Sequence, residues 1–340
     1  MATSSTPLLP NAGDIALAAE RLAGHALATP VLTNRVLDER SQREVWCKAE
    51  NLQHTGSFKF RGAYHRLSCL TPEEQSRGVV AWSSGNHAQG VALAASKLGI
   101  RASIVMPSDA PAIKTANTLA LGAQVIPYDR FSEDREAIAY DLARREGYII
   151  VPSYDDPHII AGQGTAGFEL MQAVPDLDAL LVCCSGGGLV AGCALAAEYL
   201  KRGLAIYTVE PEGFDDHRRS FLSGSRECNT GDARSFCDAL LAPTPGELTF
   251  AINQPRLAGG LVVTDDDVAE AIRFGFEHLK VVLEPGGAVA LAAVLSGKVP
   301  EDKRRVGVML SGGNIDSALF SSLIAKASSY IAPSSAKEVR

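Results

Sequence analysis

Lys59 stands between two aromatic residues, Phe58 and Phe60, in the stretch NLQHTGSFKFRGA (51–63), directly after a Thr-Gly-Ser turn. An amine on an apolar, partly desolvated wall gives up its proton more easily, and the neutral form can make a Schiff base with a carbonyl. A plain surface lysine lying along an apolar edge would read the same way. Three further loops carry groups that could converge on it. SSGNH (83–87) offers the hydroxyls of Ser83 and Ser84, the Asn86 amide and the His87 imidazole at the head of a helix, a set suited to a small carboxylate or equally to capping. SGGGL (185–189) places Ser185, Gly186, Gly187, Gly188 and Leu189 between a strand and a helix, where backbone amides can cup a phosphate. Gly186, Gly188 and Ala191 also spell the G-x-G-x-x-A dinucleotide fingerprint, with Glu210 at a ribose-binding distance downstream, so a nicotinamide oxidoreductase is a competing reading. SGGN (311–314) gives Ser311 a place beside a heterocycle and lets a flat ring approach the glycine backbone.

The elements that must position these loops follow from the alternation of short β-branched runs with helical periods. From residue 78 onward GVVAW, RASIVM, AQVIP, YIIVP, DALLVCC, AIYTVE and finally RRVGVML read as strands, each of the first five followed by an amphipathic or apolar stretch of helix length. That order predicts an α/β fold of mainly parallel twisted sheets covered by helices, with ligands gathering beyond the carboxyl ends of the strands. Between Pro211 and Gly260 the period lapses into a Gly-, Pro-, Ser- and Asp-rich stretch, expected to be a functional loop with short elements. Thr264, followed by Asp265, Asp266 and Asp267, is a helix cap. The polar tail 328–340 is expected to be loose.

The 340 residues are enough for about two domains or lobes. A net charge of −7 with no Lys/Arg-rich block offers no footprint for nucleic acid. No apolar run reaches the ~20 residues of a membrane helix, and the N-terminal segment does not read as a secretory signal. Seven cysteines (Cys47, Cys69, Cys183, Cys184, Cys193, Cys228, Cys237), an odd number with no C-x-x-C pair, argue against a disulfide framework and a zinc site. They read as buried or incidental thiols in a reducing cytoplasm.

Taken together and in this order, TGSFKFRGA, SSGNH, SGGGL and SGGN resemble the fold type II pyridoxal-phosphate enzymes related to the tryptophan synthase β chain. Within that group the chain is similar to the serine/threonine dehydratases, serine racemases and 3-hydroxyaspartate dehydratases. The resemblance implies two lobes with pyridoxal 5'-phosphate between them: residues 76–155 as a small mobile lobe, 1–75 and 156–327 as the large one. It implies Lys59 as the cofactor's attachment point and the base at Cα, Asn86 on the cofactor's 3-hydroxyl, Ser185 to Leu189 around its phosphate and Ser311 at its pyridine nitrogen. Ser83, Ser84, Asn86 and His87 would hold the substrate carboxylate, and Ser84 is the residue that makes racemisation chemically possible. In EPEGFDD (210–216) it implies Mg²⁺ or Mn²⁺ held by Glu210, the Phe214 carbonyl and Asp216, where a solvated acidic turn is the alternative. A pyridine nitrogen facing a serine makes a moderate electron sink, which favours loss of a β-hydroxyl as the Cα proton leaves. The expected reaction is therefore β-elimination of water from 3-hydroxyaspartate, L-threonine or L-serine to an oxo acid and ammonia, with an amino-acid racemase as the alternative. His54, Arg135 and the segment CDALLAPTPGELTF (237–250) are where the choice of β-substituent is expected, Arg135 or His54 serving as the cation for a second carboxylate. No regulatory domain is expected after SGGN, and a homodimer is the family's common state.

Overall fold

The computed structural model describes residues 9–110 and 112–325; the tail expected at 328–340 lies outside the described residues. Ten strands form in chain order: β1 (Val31–Leu32), β2 (Glu44–Ala49), β3 (Val79–Trp82), β4 (Ala102–Pro107), β5 (Gln124–Tyr128), β6 (Ile149–Ile150), β7 (Ala179–Cys183), β8 (Ala205–Pro211), β9 (Gly259–Val263) and β10 (Arg305–Leu310). They assemble as a six-stranded sheet in the order β1-β2-β10-β7-β8-β9 and a four-stranded sheet in the order β5-β4-β3-β6. Every pairing is parallel except β1 with β2. The continuous apolar runs explain this, because a parallel strand is covered on both faces and needs no polar side.

The alternation visible from residue 78 extends back to β2, which pairs with β10 from the far end of the chain, Val45 opposite Val306. The helix expected at 164–173 begins earlier, at Pro157, because Asp156 caps it by accepting from the amides of His158 and Ile159. The irregular stretch after Pro211 contains the helices Asp216–Ser223 and Glu247–Asn253 before β9. Thr264 closes a reciprocal capping box with Asp267.

A large apolar core fills the space around the six-stranded sheet, and two smaller ones flank the four-stranded sheet. The helices Pro157–Ala173 and Gly188–Tyr199 cross where Gly164 meets Gly192, so closely that a methyl group on either would overlap the other's backbone. This contact brings the start of the second helix, and the glycine loop before it, beside residues 153–156. Among the described residues no helix is long and apolar enough to cross a membrane.

Candidate active site

Lys59 is the first residue of the helix Lys59–Ser68. The turn before it is fixed by the chain's other end: Phe58 N–H donates to the Ser311 carbonyl at 3.1 Å, Gly313 N–H donates to the Gly56 carbonyl at 2.9 Å, and Ser57 bridges Gly312. The Lys59 side chain is half-buried over the Phe58 ring, and its Nζ donates to the Ser153 carbonyl at 2.7 Å. Burial lowers its pKa to about 8, against the opposing pull of Cys183 and Glu284. Of the two flanking aromatics only Phe58 lies under the amine; the Phe60 ring packs against His54 and Tyr64. Two residues on, Arg61 is fully buried and grips Glu50 through Nε and Nη2 and Glu169 through Nη1 and Nη2, all at 2.6–2.9 Å. Lys48 adds a 2.6 Å contact to Glu169, so the helix that starts at Lys59 is pinned by a buried ion network.

The SSGNH loop leaves the end of β3 and enters the helix Asn86–Leu98. Asn86 is held at both ends of its amide: Nδ2 donates to Glu284 Oε1 at 2.6 Å, and Oδ1 accepts from Asn314 Nδ2 at 2.8 Å. Asn314 also donates to the Thr55 carbonyl, so one asparagine ties the lysine, SSGNH and SGGN loops together. Ser83 Oγ accepts from the Gly85 amide, while among the described residues the Ser84 hydroxyl is committed to no hydrogen bond. The His87 imidazole is buried, with Nε2 2.9 Å from the Val151 carbonyl. Burial, then the charge of Lys59, drives its pKa down to about 3, so it is neutral, and its Nδ1 is buried without a partner.

At SGGGL, Gly187 takes a left-handed conformation with φ +94° and opens the helix Gly188–Tyr199. The loop is wedged between side chains: Gly186 lies against the Tyr154 ring, Gly187 against His217 and Gly188 against Gln163. Its carbonyls are in use, Gly186 accepting from Thr249 Oγ1 at 2.6 Å and from the Gly246 amide. The amides of Ser185 to Leu189 have no partner in the chain among the described residues. Donors left open at a helix start, on a loop with no space for side chains, fit a phosphate. Ser311, just past β10, is buried; burial raises the pKa of the Cys183 thiol to about 11, against the opposing pull of the Ser311 side chain.

Glu284 escaped the sequence reading. It is buried, one residue before the apolar helix Pro285–Leu295, and burial raises its pKa to about 8 although the Asn86 contact opposes this. A carboxylate heading an otherwise apolar helix was the signal available. Ser153 acts through its carbonyl, which no side-chain pattern could reveal.

Arg135 is exposed at the start of the helix Arg135–Glu146; its charge is a lesser influence on Tyr154, whose ring lies against Gly186 and whose pKa is raised chiefly by burial. His54 packs edge-on to Phe60, and burial and Lys97 lower its pKa, which leaves it poorly suited as a cation. Glu210 is buried in β8 and accepts from the His217 and Arg218 amides at 2.9 Å, facing inward where a ribose ligand would have to face out. Asp216 accepts from Asn229 Nδ2 with one oxygen, while the other, Oδ2, is buried without a partner. Burial and their mutual repulsion hold Glu210 well above the usual carboxylate range, and burial puts Asp216 at about 6.

A family profile described as "Pyridoxal-phosphate dependent enzyme" matches residues 22–312, and the chain belongs to that family. This removes the nicotinamide reading of Gly186, Gly188 and Ala191. Among relatives, L-threo-3-hydroxyaspartate ammonia-lyase of Saccharomyces cerevisiae is 43% identical over 317 residues, covering 93% of this chain and 97% of that protein. The enzyme of the same name from a Pseudomonas species is 45% identical over 311 residues, covering 92% and 97%. Serine racemase of Schizosaccharomyces pombe is 42% identical over 313 residues, with the same coverage. The solved structure of maize serine racemase superposes with a TM-score of 0.88 at 35% identity, covering 93% of this chain and 97% of that one. These relatives are those the dehydratase reading and its racemase alternative expect.

Proposed function

We propose that this chain is a pyridoxal-phosphate-dependent ammonia-lyase that eliminates water from L-threo-3-hydroxyaspartate. The observation that carries the reading is the meeting of a lysine of lowered pKa with three loops from distant parts of the chain. Bound pyridoxal phosphate supplies the electron sink for the pair left behind when Cα loses its proton. Lys59 holds the cofactor and, as a neutral amine near pH 8, takes that proton. The open amides of Ser185, Gly186, Gly187, Gly188 and Leu189 hold the phosphate. Asn86 orients the 3-hydroxyl and Ser311 faces the pyridine nitrogen.

Ser83, Ser84, Asn86 and the His87 backbone hold the substrate's α-carboxylate, and Arg135 takes its second carboxylate as a planar two-donor fork. Support for this substrate comes from two relatives named for it. Residues 76–155 close over the site and exclude water; Lys114 of this lobe pairs with Asp238 at 3.3 Å across the gap. Glu210, the Phe214 carbonyl and Asp216 hold Mg²⁺ or Mn²⁺ as hard oxygen ligands, a reading that the orphaned Asp216 Oδ2 supports. The protein acts as a homodimer in the cytoplasm. Racemisation is the second reading, favoured by the uncommitted Ser84 hydroxyl.

The test is the absorbance of the purified protein before and after L-threo-3-hydroxyaspartate, L-threonine and L-serine, with ammonia release followed in parallel. A yellow protein that releases ammonia fastest from hydroxyaspartate is expected. Arg135→Ala should raise KM for hydroxyaspartate at least tenfold, the loss of a charge-assisted pair, and leave L-threonine much less affected. A protein that stays colourless with added pyridoxal phosphate refutes the reading; equal losses on both substrates refute the role of Arg135.

A further inference from the structure

At the end of the helix Lys59–Ser68 remote from Lys59, three soft or borderline ligand groups come together: His65, Cys69 just past the helix end, and His158 in the first turn of the helix Pro157–Ala173. One ligand atom from each lies within 4.8 Å of the others. We propose that His65, Cys69 and His158 form a site for a single thiophilic divalent cation, zinc by its chemistry.

The geometry of His65 supports a ligand role. Its Nδ1 is 2.8 Å from the His158 carbonyl, which fixes the proton on that nitrogen and leaves the Nε2 lone pair facing the Cys69 thiol, whose proton a metal would replace. Nε2 lies 3.7 Å from Cys69 Sγ. Zinc bonds of about 2.0–2.1 Å to nitrogen and about 2.3 Å to sulfur in a tetrahedron put neighbouring donors roughly 3.3–3.8 Å apart, so this pair is already spaced for the ion. The His158 ring, 5.7 Å from the His65 ring between centroids, has to swing by about 1 Å to complete the set. A water fills the fourth position. Two nitrogens and a sulfur favour zinc over the magnesium-like ions suited to carboxylates.

The groups facing the site agree with this use. Arg21 donates to the Ser68 carbonyl at 2.7 Å, and Arg66 pairs with Asp156 at 3.0 Å. Both guanidiniums favour the thiolate, against the burial that raises the Cys69 thiol. On binding, the thiol proton leaves to solvent and the Cys69 Sγ lone pair goes to the metal. The ion would join the helix that begins at Lys59 to the helix that begins four residues after Ser153, the partner of the lysine amine. This site is independent of the proposed reaction.

The experiment uses metal-stripped holoenzyme in excess Mg²⁺, titrated with Zn²⁺ by calorimetry and with Cd²⁺ by its thiolate charge-transfer band. Expected is a single zinc ion per chain that raises the thermal midpoint, with Cys69→Ser and His158→Ala each weakening binding at least tenfold. The Cd²⁺ band should vanish in Cys69→Ser and persist in Cys228→Ser, the variant of the exposed cysteine. Metal-free Cys69→Ser and His158→Ala that unfold at the wild-type midpoint show that the loss is one of ligands. A band that persists in Cys69→Ser, zinc affinity unchanged in His158→Ala, or no zinc binding by the wild type each overturns the proposal.

Discussion

Replacing Gly187 by alanine separates two costs that the glycine loop conceals. The residue has φ +94°, a conformation that costs an L-residue about 1–2 kcal/mol. Its new methyl would also sit 2.5 Å from His217 Cε1 and 2.7 Å from Nε2, in a well-packed region. Overpacking of this kind adds about 1–3 kcal/mol, so Gly187→Ala should destabilise the apoprotein by about 2–5 kcal/mol in all. Two controls divide the sum. Gly24 has φ +76° with nothing within 4 Å of an added methyl, so Gly24→Ala should show the backbone cost alone. Gly203 has neither feature, and Gly203→Ala should be neutral or stabilising by up to about 1 kcal/mol through the unfolded chain. Urea unfolding of the three variants gives the ranking. Cofactor titration gives the function: Gly187→Ala should bind pyridoxal phosphate at least tenfold more weakly while binding of unphosphorylated pyridoxal changes little, since the amides lose their register on the phosphate. If Gly187→Ala is no more destabilising than Gly24→Ala, the packing argument fails; if both ligands weaken equally, the phosphate assignment fails.

Arg61→Met leaves Glu50 buried without its main partner and should cost about 3–5 kcal/mol, measured by chemical unfolding; a loss below about 1 kcal/mol would show the network to be relaxed or wet. Because burial lowers the Lys59 pKa to about 8, the neutral amine gains population as pH rises through that value. Incorporation of pyridoxal phosphate into the apoprotein, followed by absorbance, should therefore accelerate from pH 7 to 9, and a rate still flat at pH 8 would contradict the burial argument. Mg²⁺ should raise the thermal midpoint of the wild type and not of Asp216→Asn, where the unpartnered oxygen becomes an amide; an equal rise in both would remove the ion from Glu210 and Asp216.

The sequence by itself determined the sheet-forming runs, the parallel class of the fold and the four loops. Each of these rests on local physics: continuous apolar strands, glycines where backbone must approach closely, an amine between two phenylalanines. It left β2 unassigned, because EVWCKA becomes a strand only by pairing with β10 some 260 residues later in the numbering. The site's residues were legible as types, while their partners were not. Asn86 was visible as an amide at a helix start, yet Glu284 and Asn314, which hold it, come from the other end of the chain. His87 was visible as an imidazole at a helix start, while its burial and the Val151 carbonyl that meets its Nε2 were not. Cysteine spacing along the chain could not show that Cys69 lies beside His158, a proximity that arises only because the helices Lys59–Ser68 and Pro157–Ala173 pack together. What tertiary structure alone decided is the set of long-range contacts, together with the burial that moves the pKa of Lys59 and Glu284, because desolvation depends on what packs around a group and not on its neighbours along the chain.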